Sequence, residues 1–142
     1  MIKISQLKAR DLADMHLKDI EGEPMFYKPD PESKDEKPVL IRVYGPGSEP
    51  YRKAQVAAQR RVAVLLKKNR RALEDRTPDE RAADTAVLLA DITHSVEGLE
   101  LDADGREGVV ALYADPQCGW VAEQVNSFAA DWANFSASAP KA

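Results

Sequence analysis

The feature that most constrains the fold of this chain is an apolar stripe close to its C-terminal end. Its members recur at alternating four- and three-residue steps, and this spacing places them on one face of an α-helix. They are Val121, Val125, Phe128, Trp132 and Phe135. Asp115 can cap such a helix and Pro116 can open it, because proline lacks only an N–H group that the first turn leaves unpaired. We therefore expect a final helix over residues 116–135.

Length and composition are those of an ordinary globular protein. Of the 142 residues, 44% are hydrophobic and 31% are charged, so the chain can bury a core without disulfide bonds. We expect a single domain over 1–142, with a β-rich part over 1–47, a helical part over 48–135 and a frayed tail over 136–142. The single cysteine, Cys118, favours a reducing cytoplasm. Neither a signal peptide nor a membrane span is expected, since no segment approaches roughly 20 apolar residues.

The first third of the chain predicts three β-strands. Apolar and polar side chains alternate over 15–20, residues 25–27 form a short returning strand, and residues 39–44 have the strongest strand pattern. One face of this last strand consists of Val39, Ile41 and Val43. We infer an antiparallel β-meander of about three strands.

A long helix is expected after the meander. Ser48 suits its N-cap and Pro50 its first turn, and the helical pattern reaches about residue 75. The expected buried stripe consists of Tyr51, Ala54, Ala58, Val62, Leu65, Leu66 and Leu73. The cations of its second half are Arg60, Arg61, Lys67, Lys68, Arg70 and Arg71.

Two more helices are expected before the final one. Thr77 and Glu80 form a capping box around Pro78, and this helix ends near residues 95–98. A short helix follows over 106–114. The predicted fold class is therefore α+β, with the N-terminal antiparallel meander followed by a bundle of about four helices.

Charge is distributed unevenly along the chain. Residues 1–48 carry 8 basic and 9 acidic side chains, residues 49–76 carry 9 and 3, and residues 77–142 carry 3 and 12. A basic helix face can bind phosphates by counterion release. Aromatic residues for base stacking are not interleaved with these cations, however, and the acidic C-terminal half would repel a polyanion. A solvated face that pairs in part with the acidic helices is the favoured interpretation, and nucleic-acid binding is disfavoured.

Two short motifs have only part of a binding-site pattern. The segment from Asp102 to Gly105 has the alternating carboxylates of a calcium loop, but Arg106 and Tyr113 stand at later ligand positions. We interpret it as a solvated turn. Residues 45–47 lack the Gly-Lys-Ser/Thr ending of a phosphate loop and are interpreted as a strand-to-helix turn.

Catalytic chemistry finds little support in the sequence. Cys118 lies in the first turn of the expected final helix, where the helix dipole can lower the pKa of a thiol. A nucleophilic thiol needs a base, and nothing places His16 or His94 beside it. Cys118, His16 and His94 also form a poor set of zinc ligands, because a second cysteine is missing. We predict structural roles for all three, no catalytic, cofactor or metal site, and a protein that is not an enzyme.

Three segments follow the pattern of one protein family. Residues 43–53 match its V-x-G-P-x-S-x-x-Y-R-K motif, and residues 90–99 are similar to its W-E-G-L type of helix end, with Val96 in place of the frequent tryptophan. The third segment contributes Asp115, Pro116, Trp120, Gln124, Val125, Asp131, Asn134 and Phe135. Over about residues 17–135, the chain therefore resembles the tail assembly chaperones of long-tailed bacteriophages and prophages.

The resemblance implies a non-enzymatic role. Tail assembly chaperones are thought to coat the long, helical tape measure protein, to recruit tail tube subunits, and to leave as the tube polymerises. The implied partners are the tape measure protein and the major tail tube protein. The implied location is the cytoplasm of the host bacterium, and the protein is not expected in the mature virion.

The expected partner surface lies near the C-terminal end. The candidate partner-binding residues are Trp120, Gln124, Phe128, Trp132 and Phe135. An apolar helical surface suits reversible helix-in-groove contacts, with Tyr51 and Val62 as core beneath it. Intramolecular packing competes with this role and is favoured for Trp132 and Phe135, whereas Trp120 lies off the stripe and is expected to be more exposed.

Two other functions stay open at this point. The chain would also suit a structural tail completion or connector protein that remains in the virion, or a small nucleic-acid-binding regulator that uses the basic helix. Self-association is left open as well, and no membrane partner is expected.

Overall fold

The structure is a computed structural model that describes residues 1–68, 71 and 74–137. Its strands are β1 (Leu12–His16), β2 (Phe26–Tyr27), β3 (Lys37–Pro38), β4 (Leu40–Tyr44) and β5 (Thr93–Glu97). The α-helices with described bounds are α1 (Glu49–Lys68), α2 (Pro78–Asp91), α3 (Gly105–Ala114) and α4 (Gly119–Ala130). Short 3₁₀ segments lie at Ile4–Gln6, Pro116–Cys118 and Trp132–Phe135.

Strand β4 is the centre of a three-stranded antiparallel sheet with the order β1-β4-β5. Ala13 lies opposite Val43 in the first pair of strands, and Ile41 lies opposite Val96 in the second. The short strands β2 and β3 pair with each other in a separate sheet. The predicted fold class is confirmed, since a three-stranded antiparallel sheet is combined with about four helices.

The third strand of the main sheet comes from a segment for which the sequence predicts helix. Helix α2 ends at Asp91, and the chain then pairs with β4 as strand β5 instead of remaining helical to residues 95–98. The uncovered edge of β4 offers unpaired N–H and C=O groups, and the β-branched Thr93 and Val96 suit a strand. The pairing with a distant strand therefore overrides the local helical pattern.

The core lies between the sheet and helices α2 and α4. Ile41 and Val43 of β4 are buried with Leu89 of α2 and Val125 of α4 in one apolar cluster. Val39 is buried as well, so the face predicted for this strand is confirmed. The sequence pattern thus correctly identifies the strand that organises the core, although Leu40 on its other face is buried as well.

The helix starts follow their sequence signals. The Thr77 hydroxyl accepts a hydrogen bond from the Glu80 N–H at 3.1 Å, and Ser48 Oγ accepts one from the Tyr51 N–H at 3.3 Å. Each bond satisfies an N–H group that the first turn leaves free, which stabilises a helix by about 1 kcal/mol. These caps need only neighbouring residues, and both are predicted correctly.

The buried stripe predicted for the long helix is wrong for its second half. Among the described residues of α1 only Ala54 is buried, whereas Val62 is 38% and Leu66 is 46% exposed. The 20 residues of α1 span about 30 Å, whereas the 5 residues of β4 span only about 17 Å. The helix is thus much longer than the strand it follows. Leu73 and Arg70 lie outside the described residues.

The final helix is shorter than predicted. Helix α4 ends at Ala130 because Asp131 adopts an extended backbone and its carboxylate accepts a hydrogen bond from the Ala133 N–H at 3.0 Å. The chain continues as a separate 3₁₀ segment, so Trp132 and Phe135 do not continue the face of α4. Of the predicted frayed tail, residues 138–142 lie outside the described part of the chain.

Tyr113 of α3 makes the stability of the core dependent on pH. Burial raises the pKa of its hydroxyl from 10.0 to about 12, although a 2.8 Å hydrogen bond with Thr93 Oγ1 opposes this shift. Since the folded chain holds the phenolic proton more tightly than the unfolded chain, the stabilisation is complete below pH 10 and is lost as the pH rises to about 12. We expect the free energy of unfolding to fall by about 2–3 kcal/mol across this window.

Urea unfolding at a series of alkaline pH values measures this effect. The control is Tyr113→Phe, which keeps the ring and removes the titrating group, so its stability should fall less over the same window. An equal fall in both proteins would contradict the assignment to Tyr113.

Candidate functional site

A groove of about 710 Å³ lies between the end of β1 and helix α4. One group of lining residues comes from the β1 side, namely Met15, His16, Lys18, Asp19, Ile20 and Gly22. The other group comes from α4 and the segments next to it, namely Trp120, Glu123, Gln124, Ser127, Phe128, Asp131 and Asn134. The groove therefore contains three of the five predicted partner-binding residues and a second wall that the sequence does not reveal.

Gln124 joins the two walls of the groove. Its Oε1 accepts a hydrogen bond from the Lys18 N–H at 2.9 Å, and its Nε2 donates one to the Lys18 carbonyl oxygen at 2.7 Å. This pair of bonds binds the backbone after β1 to the middle of α4. Gln124 is thus a positioning residue, since the oxygen and the nitrogen of its side-chain amide each have a hydrogen-bond partner within the protein.

Trp120 and Phe128 form the apolar part of the helical wall. Both are half-buried, and both pack against the core cluster while they line the groove. Trp120 is therefore less exposed than the sequence predicts. Rings held on one side by the core can present a fixed apolar surface on the other side, which is the arrangement of an anchor site.

Trp132 and Phe135 do not line the groove. Phe135 is fully buried, and its ring meets that of Phe128 edge to face with the centroids 5.8 Å apart. Intramolecular packing is therefore confirmed for Phe135. Trp132 is 58% exposed and lies beside Gly47, so the expectation that it is packed inside the protein is wrong. The turn at Asp131 explains the difference, because it removes both residues from the helical register of α4.

Two exposed apolar side chains lie at the β1 side of the groove. Ile20 lines the groove and is 76% exposed. The exposed Phe26 meets the His16 ring edge to face at 5.0 Å. His16 Nε2 donates a hydrogen bond to the Met25 carbonyl oxygen at 2.8 Å, so this histidine has a structural partner, as predicted. Exposed apolar groups beside a groove are typical of interaction surfaces.

The charged groups of the groove are predominantly acidic. Asp19, Glu123 and Asp131 line it together with a single lysine, Lys18. The Asp19 carboxylate accepts hydrogen bonds from two backbone N–H groups of its own turn, at 2.9 and 3.0 Å, which holds this turn in place. The groove therefore favours a partner segment that combines apolar anchors with basic side chains.

The candidate nucleophile lies in a setting that does not activate it. Burial raises the pKa of the Cys118 thiol, and the negative charges of Asp115 and Asp102 raise it further. The Cys118 Sγ atom lies 4.0 Å from Asp115 Oδ2. A thiol with a raised pKa is protonated at neutral pH, which favours the passive role predicted for it.

The other motifs also have local structural partners. His94 Nδ1 lies 3.1 Å from Ser95 Oγ, but the nearby Asp91 binds Arg106 at 2.9 Å rather than the histidine. Gly105 starts α3 with a φ of +67°, a conformation that suits the predicted turn. Within the described ranges, no three side chains of the metal-ligating types come together, and no helix is long and apolar enough to cross a membrane.

Comparison of the chain with protein families, with curated proteins and with solved structures finds no match in any of the three. The resemblance to tail assembly chaperones therefore rests on the sequence motifs. Of the residues of the third motif, Trp120, Gln124, Asp131 and Asn134 line the groove.

The β1 wall is the part of the site that sequence reasoning misses. Its residues precede α4 by about a hundred positions, and Lys18 and Gln124 are 106 residues apart. One sequence signal is present, since Ile20 is an apolar residue inside a turn of charged residues. An isolated apolar side chain in a polar turn can indicate a contact surface, but it does not show which segment lies opposite.

Proposed function

We propose that the protein is a tail assembly chaperone that binds a helical segment of the tape measure protein in the groove between β1 and α4. The observation that supports this most is the meeting of Trp120, Gln124 and Phe128 in one open groove. All three residues lie within residues 115–135, the third segment that carries the family resemblance. On the opposite wall, the exposed Ile20 lines the groove, and the exposed Phe26 packs against the ring of His16.

The shape and chemistry of the groove suit an amphipathic helix. Such a helix places anchor residues on one face at three- and four-residue steps, and these can contact Trp120, Phe128 and Ile20. Basic residues at the edge of its apolar face would meet Glu123 and Asp131. Exposed ion pairs contribute little each, so binding of this kind remains reversible, as a chaperone requires.

The proposed role includes recruitment of tail tube subunits and release as the tube polymerises. The chain acts through binding and carries out no covalent chemistry in this role. Its location is then the cytoplasm of the host bacterium. Mass spectrometry of purified virions separates this role from that of a retained tail completion or connector protein, because only the retained protein would be detected.

Replacing Trp120 with alanine is expected to weaken binding of the tape measure protein at least about tenfold, equivalent to about 1.4 kcal/mol. The reason is the loss of the largest apolar side chain in the groove wall. Binding is measured by titration with purified tape measure segments. Ile20→Ser should also weaken binding, and its exposed position keeps the core intact.

The matched control is Trp132→Ala, which removes an equally large ring outside the groove and should leave binding unchanged. Circular dichroism and thermal unfolding confirm that each variant is folded. Unchanged binding in both groove variants would overturn the proposed surface.

A further inference from the structure

A helical part of this chain has no buried side chain. It consists of the described residues between 55 and 85, which we name the outer helix pair, and none of them is buried. It includes most of α1 and the first half of α2. The large apolar side chains exposed here are Val56, Val62, Val64 and Leu66.

The two helices of the outer helix pair lie side by side. An open depression of about 370 Å³ lies between them, and Arg61, Leu65 and Asp84 help to line it. Helices in water are stabilised mainly by burial of an apolar face against another element. Here the exposed valines and leucine of α1 have no such cover within the described part of the chain, which indicates that another polypeptide provides it.

The two helices carry opposite charge. The second half of α1 has the cations Arg60, Arg61, Lys67 and Lys68 and no acidic residue. The described segment 74–84 has five acidic residues and two basic ones. Arg76 pairs with Glu80 and Asp84 inside this segment, and among the described residues no ion pair joins α1 to α2.

We propose that the outer helix pair is covered by the same surface of a second copy of the chain. In a dimer with two-fold symmetry, α1 of each copy faces α2 of the other, so the basic helix meets the acidic one at both places. Val64 then lies at the centre of the interface, because it is three residues from Lys67 and four from Arg60 and Lys68 and therefore shares their face of α1.

Charge complementarity decides between a second copy and the other occupants of a basic helix. A nucleic acid or an anionic membrane would be attracted by α1 but repelled by the acidic segment 74–84 beside it. A second copy of the chain offers acidic partners to α1 and basic partners to the segment 74–84. The interface is separate from the groove at Trp120, so either proposal can fail without the other.

Two charge-reversal variants test the dimer. In the first variant, Lys67→Glu and Lys68→Glu lower the net charge of residues 60–68 from +4 to 0, and in the second, Asp75→Lys and Asp79→Lys change that of residues 74–84 from −3 to +1. All four positions are exposed, so the fold should be preserved. In light scattering over a range of concentrations, the wild-type protein should have twice the mass of one chain. Each variant alone should dimerise at least about tenfold more weakly.

Mixing the two variants in equal amounts should restore the dimer with one chain of each kind. At one place the introduced glutamates then face the introduced lysines, and at the other the unchanged basic and acidic segments face each other. Val64→Asp, which puts a charge at the centre of the interface, should also give single chains, and circular dichroism checks its helix content. A wild-type protein that remains a single chain, a dimer that none of the variants affects, or mixed variants that stay apart would overturn the proposal. Binding of duplex DNA or anionic vesicles by a single-chain wild type would do so as well.

Discussion

Replacing Phe135 with alanine is expected to lower the free energy of unfolding by about 3–5 kcal/mol. The side chain is fully buried although it lies only seven residues from the C-terminal end. Its ring packs on Phe128 and against Gly45, and its carbonyl oxygen accepts a hydrogen bond from the Arg10 N–H at 2.6 Å. The alanine variant leaves a cavity between Phe128 and the strand-to-helix turn at Gly45.

Urea unfolding of wild type and variant measures this difference. The matched control is Trp132→Ala in the same 3₁₀ segment, which should cost less than about 1 kcal/mol because its ring is mostly exposed. Equal costs at the two positions would contradict the burial pattern, in which only one of two neighbouring aromatic residues belongs to the core.

The substitution Gly45→Ala is expected to cost about 3 kcal/mol, because an added methyl group would overpack a filled site. A Cβ atom on Gly45 would lie 2.6 Å from the Phe135 ring, which is closer than two carbon atoms can approach. That ring is enclosed by the core and cannot move aside. The glycine is therefore required by close packing at the end of β4 rather than by a phosphate.

The control for this prediction is Gly47→Ala, two residues further on. A Cβ atom there would lie 3.2 Å from the exposed Trp132 ring, which is free to shift, so the cost should stay below about 1 kcal/mol. Combining Gly45→Ala with Phe135→Ala should cost clearly less than the sum of the two single changes, since the alanine removes the clash. Additive costs would show that the two residues do not meet.

The candidate groove shows how a binding site depends on distant segments. Trp120 and Phe128 are recognisable in the sequence as large apolar residues of the final helix, and both line the groove. Their role as a wall depends on the segment after β1, which the two hydrogen bonds between Gln124 and Lys18 hold in place. No local pattern predicts a contact between residues 106 positions apart.

The misassigned elements have the same cause. The sequence pattern extends the preceding helix into residues 93–97, but these residues pair with the free edge of β4 and form a strand. Periodicity places Trp132 and Phe135 on one helical face, whereas the cap at Asp131 separates them into an exposed and a buried residue. In both cases one interaction outside the periodic pattern decides the outcome.

The sequence by itself determined the features that depend on neighbouring residues. These are the caps at Ser48 and Thr77, the alternating face of β4, and the combination of an antiparallel sheet with helices. Only the tertiary structure decided the third strand of the sheet, the uncovered outer helix pair and the second wall of the groove. The physical reason is that hydrogen bonds over three or four residues are encoded locally, whereas burial depends on which distant surfaces meet.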